Sequence, residues 1–94
     1  MVDGKGVSKD ILIMDPGDNI AVCLRDIKAG ENVTFRMEAE TISVKVLDHI
    51  PRGHKICVKE IPNDAPIIKY GEIIGKATTD IHIGQHVHVH NVVD

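Results

Sequence analysis

A short pattern of the form Ile-x-x-Gly-x-x-Val/Ile occurs three times in the chain, and a fourth segment follows it with one change. The complete copies begin at Ile27, Ile50 and Ile81, and the changed copy begins at Ile61 and has Asp64 in place of glycine. Glycine adopts positive φ freely and aspartate tolerates it, so each copy predicts an apolar anchor, a tight turn and a second anchor that opens the next strand. Copies that face each other across a pseudo-twofold axis would bury their isoleucines.

The positions before each copy also correspond. The residue before the leading isoleucine is acidic in three copies. In the copy that begins at Ile50 this residue is His49, which we expect to cap the turn. Cys23 and Cys57 each lie three places before the acid. A disulfide between them is one interpretation, but two reduced and buried thiols are favoured, because the chain opens with no export signal.

The apolar residues are mostly β-branched. The 94 residues include no Trp, one Tyr and one Phe, whereas Ile and Val are abundant. Such residues favour strands, and this length suits one domain, so we predict a small all-β domain over 11–94 after a flexible segment at 1–10. Strands are predicted at 20–24, 32–38, 41–47, 54–60, 66–69, 73–78 and 86–92.

Charge and hydropathy exclude several classes of function. The formal net charge is −3, and no run of Lys or Arg is present, which argues against binding of nucleic acid. No apolar stretch approaches the roughly 20 residues that cross a bilayer. Since no signal-peptide pattern opens the chain, a cytoplasmic location is the expectation.

Near the end of the sequence, three histidines alternate with two valines. In a strand, Val87 and Val89 would share a buried face, and His86, His88 and His90 would share the other. Imidazoles are suited to metal binding and to proton transfer near neutral pH. The alternative is a solvated strand face that happens to use histidine.

The spacing of this row limits what it can bind. Neighbouring histidines would lie about 6.8 Å apart, and His86 and His90 about 13 Å apart, along a straight strand. All three cannot bind one ion unless the strand bends, so two ligands and one proton donor are the favoured division. Local spacing brings no carboxylate near this strand, and any site would be incomplete within the chain.

Two other segments contain candidate binding residues. The turn at 51–55 contains Arg52, His54 and Lys55, which together suit a carboxylate or another small anion. Ordinary solvated turn charges are the alternative. Tyr70 is the only tyrosine, and its hydroxyl could orient a substrate, although a half-buried tyrosine at a hairpin end is the more ordinary interpretation.

Four segments resemble the N-terminal domain of altronate and galactarate dehydratases. These segments are 18–22, 50–55, 67–78 and 84–91, and the resemblance extends over about residues 13–93. It implies a β-clip architecture of the SAF group, which agrees with the short strands and tight turns predicted above.

The resemblance also implies a function. Many members of the family fuse this domain to a much larger catalytic domain, whereas this sequence ends at Asp94. A separately encoded small subunit is therefore implied, a form also found in the alpha subunit of (2R)-sulfolactate sulfo-lyase. The implied activity is dehydration of a sugar acid by a carbon–oxygen lyase that is inactive without its large subunit. The sulfolactate-cleaving alpha subunit and a non-catalytic SAF module for carbohydrate binding or assembly are the alternatives.

Site residues and a cofactor follow from the same resemblance. It implies a divalent metal, with Fe²⁺ or Mn²⁺ as candidates, a large dehydratase-type subunit as partner and a small hydroxy acid as substrate. A homo-oligomer of the isolated chain is left open. The family's histidine pattern corresponds to His54, His86, His88 and His90 in this sequence. We expect His86, His88 and His90 to be metal ligands and His88 and His54 to be catalytic. The substrate-binding candidates are the residues of the two segments above, Arg52, Lys55 and Tyr70.

Overall fold

The chain folds into short antiparallel strands joined by tight turns. The computed structural model describes residues 8–37 and 39–94, and within them strands are the only regular elements. In chain order they are β1 (Ile11–Leu12), β2 (Ile20–Cys23), β3 (Asn32–Met37), β4 (Glu40–Lys45), β5 (Lys55–Cys57), β6 (Pro66–Lys69), β7 (Glu72–Ala77), β8 (His86–Val87) and β9 (Val92–Val93). The predicted all-β fold class is confirmed. No helix in the described part of the chain could span a lipid bilayer.

Only the end of the segment predicted to be flexible, 1–10, falls within the described residues. Ser8 accepts a hydrogen bond from the Asp10 N–H (2.9 Å), and the Asp10 carboxylate pairs with Arg25 at 2.8 Å. Residues 1–7 lie outside the part of the chain that the structure describes.

The described residues form three small sheets. Their strand orders are β1–β2–β5–β8, β3–β4 and β6–β7–β9, and every pairing is antiparallel. The apolar side chains form two clusters, one around Ile27 and Ile50 and the other around Ile61 and Ile81. Each cluster therefore forms around one pair of repeat copies.

The four repeat copies pair as the sequence predicts. Ile27 faces Ile50 in one antiparallel bridge, and Ile61 faces Ile81 in another. All four side chains are at most 1% exposed. The pseudo-twofold arrangement is thus confirmed, and it buries the aliphatic anchors that a domain almost without aromatic residues needs for its core.

The turn is the same in each copy. The residues at its third position have positive φ, namely Gly30 (94°), Gly53 (85°), Asp64 (71°) and Gly84 (95°). Each donates its N–H, at 2.8–2.9 Å, to a backbone carbonyl just before the facing copy. The four acceptors, in the same order, are Val46, Cys23, Ala77 and Cys57. The substitution of aspartate for glycine in the fourth copy therefore leaves the turn intact, as predicted.

Acidic residues cap three of these turns from the facing copy. Asp26 accepts the Arg52 N–H at 2.7 Å, Asp80 the Asn63 N–H at 2.8 Å, and Glu60 the Ile83 N–H at 3.1 Å. In the remaining turn the Lys28 N–H is bonded to Glu31 at 2.7 Å, and His49 is exposed. The predicted capping role of His49 is wrong, because its side chain forms no hydrogen bond to this turn among the described residues, and the carboxylate that bonds the turn is that of Glu31.

Both cysteines are free and buried, which confirms the favoured interpretation. Burial raises the pKa of Cys23 to about 11 and that of Cys57 to about 12. Both thiols are therefore protonated at neutral pH and act as small apolar core groups rather than as nucleophiles or metal ligands.

Candidate functional site

The segment after Gln85 is not the continuous strand that its alternation predicts. β8 ends at Val87, a turn follows at 88–91, and β9 begins at Val92. Val87 is 1% exposed, whereas Val89 is 82% exposed. The predicted strand over 86–92 is wrong beyond Val87, and so is the predicted burial of Val89.

Asn91 supplies the physical reason for the early end of the strand. Its side-chain amide donates to the His86 carbonyl at 2.8 Å, and its side-chain oxygen accepts the His88 N–H at 3.0 Å. The Asn91 backbone N–H donates to the His88 carbonyl at 3.1 Å. These bonds satisfy backbone N–H and carbonyl groups that would otherwise need hydrogen bonds from another strand, and they fold the chain back on itself.

The register between β5 and β8 brings in a histidine from a distant part of the sequence. Lys55 is paired with Val87, and Ile56 with His86. One step further along the same register, His54 stands opposite His88, and their ring centroids are 4.2 Å apart with the planes inclined at 19°. Opposite residues, and residues two apart on one strand, share a face, so three imidazoles meet here.

We call His54, His86 and His88 the histidine group. Each offers one ring nitrogen, and these nitrogens lie within 4.8 Å of one another. His54 Nδ1 and His86 Nε2 are 2.9 Å apart. His90, the remaining implied ligand, is outside this group: it is exposed, and its ring centroid lies 5.2 Å from that of His86.

Two further residues, which the sequence reasoning missed, hold the backbone of the group. Asp48 accepts the His86 N–H at 3.0 Å, and Asn91 bonds the backbone of both His86 and His88. A role for Asn91 could have been suspected, because asparagine often bonds nearby backbone groups. Asp48 is 38 positions from its partner, and no local pattern marks it.

A shallow groove of about 230 Å³ opens beside the histidine group. It is lined by the residues Lys55, Ile67, Ile74, Val87, His88, Val89, Val92 and Asp94. The groove has one basic residue, Lys55, one acidic residue, Asp94, and the imidazole of His88 next to an apolar wall. Lys55 and His88 are the residues of this lining that could bind the carboxylate of a small molecule.

The other predicted substrate-binding residues lie elsewhere on the surface. Arg52 is exposed in the second repeat turn, with its N–H bonded to Asp26. Tyr70 is in the turn between β6 and β7, where its N–H donates to Asp18 at 3.0 Å and the Lys69 ammonium lies 5.0 Å from its ring centroid. Of the three substrate-binding candidates, only Lys55 lines the groove beside the histidine group.

Electrostatics favour the neutral form of two imidazoles in the histidine group, those of His86 and His88. Burial lowers the pKa of His86, and the neighbouring His90, His54 and His88 lower it further. The pKa of His88 is lowered by desolvation and by the positive charges of His54, Lys55 and His90. Neutral imidazoles have the free lone pair that binds a metal ion or accepts a proton.

We expect the metal-free domain to lose stability as the pH falls below about 6.5. The unfolded chain takes up protons at the ordinary histidine pKa, whereas folded His86 and His88 resist protonation, so acid favours unfolding. The loss begins near pH 6.5 and is complete below the folded pKa values. Glu31 and Glu60 have a pKa below their ordinary 4.5, so they affect stability only in stronger acid.

Urea unfolding in a chelator at about pH 7.5 and about pH 5.5 measures this effect. The urea concentration at the unfolding midpoint of the wild type should be lower at the acidic pH than at the higher pH. This difference should be smaller in the double variant His86→Gln, His88→Gln. An equal fall in both proteins would show that other groups cause the acid sensitivity.

Among the described residues, the paired repeats and the histidine group define a small all-β domain with a candidate metal centre. The chain belongs to the family of altronate/galactarate dehydratase SAF domains, whose family model matches residues 9–94. The family that the sequence resemblance predicted is thus confirmed.

Relatives in this family include dehydratases and a lyase. The chain is 45% identical over 83 residues to altronate dehydratase of Bacillus subtilis strain 168, covering 88% of this chain but 16% of that enzyme. It is 36% identical over 89 residues to (2R)-sulfolactate sulfo-lyase subunit alpha of Chromohalobacter salexigens, covering 92% of this chain and 95% of that subunit. It also matches 14% of Escherichia coli altronate dehydratase at 40% identity, so it spans about a sixth of these long relatives.

Proposed function

We propose that this chain is the small subunit of a metal-dependent hydro-lyase that dehydrates a sugar acid of the altronate or galactarate type. The observation that carries this proposal is the convergence of three imidazoles, from His54, His86 and His88, beside a groove that Lys55 and His88 line. The family and the identity to altronate dehydratases support the reaction class.

The histidine group fits a divalent ion by its donor chemistry. Imidazole nitrogens bind an ion at about 2.0–2.1 Å, so two ligands on one ion lie at most about 4.2 Å apart. The spread of 4.8 Å among the three nitrogens therefore requires only a small movement of the rings. Imidazoles suit Fe²⁺ better than Mn²⁺, which prefers oxygen ligands, and we favour iron of the two candidates.

A bound divalent ion supplies Lewis-acid stabilisation of the charge that develops on the carboxylate and hydroxyl oxygens of a hydroxy acid during elimination. Lys55, on the groove, binds and orients the substrate carboxylate. An imidazole nitrogen that binds an ion cannot also accept a proton. Proton transfer therefore falls to an imidazole outside the group, and His90, exposed beside His86, is the candidate within this chain.

A large dehydratase-type subunit is the proposed partner. The histidine group offers three nitrogen ligands, and the groove beside it is shallow, so further ligands and the walls of the substrate cavity must come from elsewhere. The sulfo-lyase relative, of which this chain covers 95%, is itself named a subunit alpha. This name supports an assembly of two kinds of chain.

Reconstitution with the large subunit tests the proposed function. The pair should release a 2-keto-3-deoxy acid from altronate or galactarate, and the isolated chain should show no turnover. His88→Ala should assemble normally but lower turnover by about 100-fold or more, because loss of a metal ligand costs at least as much as loss of a residue that only supports one. His49→Ala, at an exposed histidine outside the group, is the control and should be fully active.

Full activity in a triple variant of His86, His88 and His90 would contradict the proposal. Release of sulfite and pyruvate from sulfolactate by the reconstituted pair would instead identify the chain as a sulfo-lyase alpha subunit, the alternative that the 36% identity to such a subunit supports. If the chain binds no metal and does not raise the lyase activity of the large subunit, it would be a non-catalytic SAF module.

A further inference from the structure

We propose that Asn91 is the positioning residue of the histidine group. Its side chain fixes the backbone on both sides of Val87, so that the rings of His86 and His88 are presented together toward His54. The role in metal binding rests on the proposed function, whereas the role in ring placement is independent of it.

The contacts of Asn91 imitate those of a neighbouring strand. Its carboxamide bonds the carbonyl of His86 and the N–H of His88, which are two residues apart, as one strand bonds the next. Asn91 is 6% exposed, and its own carbonyl accepts the Thr78 N–H at 3.0 Å, just beyond β7. Asn91 therefore links the histidine segment, through its side chain, to the end of β7, through its backbone carbonyl.

Packing of its two central residues does not hold the turn. Val89 and His90, its two central residues, are both exposed, and Val89 is 82% exposed. With neither side chain anchored in the core, the bonds to Asn91 decide where the backbone of His88 lies. Loss of the carboxamide would release that N–H to water and let the His88 ring leave the ring of His54.

Asn19 offers a matched control, because its side chain makes the same pair of bonds in another place. Its amide donates to the Pro66 carbonyl at 2.9 Å, and its oxygen accepts the Ile68 N–H at 2.8 Å, again two residues apart. Asn19 is 9% exposed. A substitution there removes an equivalent buried clamp from β6 without touching the histidine segment.

The experiment compares Asn91→Ala with Asn19→Ala in the full chain. Both variants should lose thermal stability. Only Asn91→Ala should lose the nuclear Overhauser effects between the ring protons of His54 and His88, and only it should bind Co²⁺ more weakly than wild type, by about 10-fold or more. Retained ring contacts in Asn91→Ala, or their equal loss in Asn19→Ala, would overturn the proposal.

Two outcomes separate this inference from the proposed function. If wild type binds no Co²⁺, the metal proposal fails, and the ring contacts still decide the role of Asn91. If Asn91→Ala does not fold, the wild-type chain decides: the side-chain amide protons of Asn91 and the amide proton of His88 should exchange slowly with solvent. Fast exchange of the Asn91 amide protons would overturn the proposal.

Discussion

His54→Ala is expected to weaken binding of Co²⁺ to the isolated chain by more than about 100-fold, which exceeds the usual effect of removing a residue that only supports a ligand. The reason is geometric, because His54 places a ring nitrogen 2.9 Å from that of His86 and its ring against that of His88. Removal of this imidazole leaves only two ligands, those of His86 and His88. Calorimetric titration of the apo protein with Co²⁺ measures the affinity.

His90→Ala provides the contrast to this variant. The exposed imidazole of His90 lies outside the histidine group, so its loss should change the Co²⁺ affinity by no more than about twofold, as expected for a surface substitution. The expected ligand set of His86, His88 and His90, without His54, gives the reverse order. Strong loss in His90→Ala and none in His54→Ala would therefore reject the group defined by the register of β5 and β8.

Gly84→Ala is expected to destabilise the domain by roughly 4 kcal/mol, the sum of a strained positive φ and an overpacked contact. The φ of Gly84 is 95°, and a Cβ there would overlap the backbone carbonyl oxygen of Lys45, which cannot rotate away as a side chain can. The turn of Gly84 leads directly into β8. The histidine segment should therefore be disturbed together with the fold.

Gly30→Ala is the matched control for this substitution. Gly30 has nearly the same φ, 94°, but a Cβ there would meet no atom within 4 Å. Only the backbone strain remains, and it costs about 1–2 kcal/mol. Urea unfolding of the two variants measures the difference. Equal losses would show that the carbonyl of Lys45 does not approach Gly84 this closely in solution.

Much of the fold could be predicted because it is specified locally. The repeat places a residue that tolerates positive φ between two apolar anchors, and the structure has positive φ at Gly53, at Gly84 and even at Asp64. Turn chemistry of this kind depends on a few neighbouring residues, so the sequence reveals it directly. Pairing of the copies follows, since each buries an isoleucine that needs an apolar partner.

The site could be predicted only in part because it depends on long-range pairing. Alternation correctly placed His86 and His88 on one face, but it could not show that His54 stands opposite His88, since that follows from the register of two distant strands. Alternation also could not show that Asn91 would end the strand after Val87. A side chain that replaces a strand leaves no periodic signal.

The measurement closest to the central claim is a titration of the ¹⁵N-labelled chain with Zn²⁺, followed through the ring signals of its six histidines. The rings of His54, His86 and His88 should shift together and saturate at one equivalent of metal. His49 and His82, both exposed, serve as controls within the same spectrum and should not shift. Shifts of equal size at His49 and His82, or no saturable change in the histidine group, would contradict a metal centre at this site.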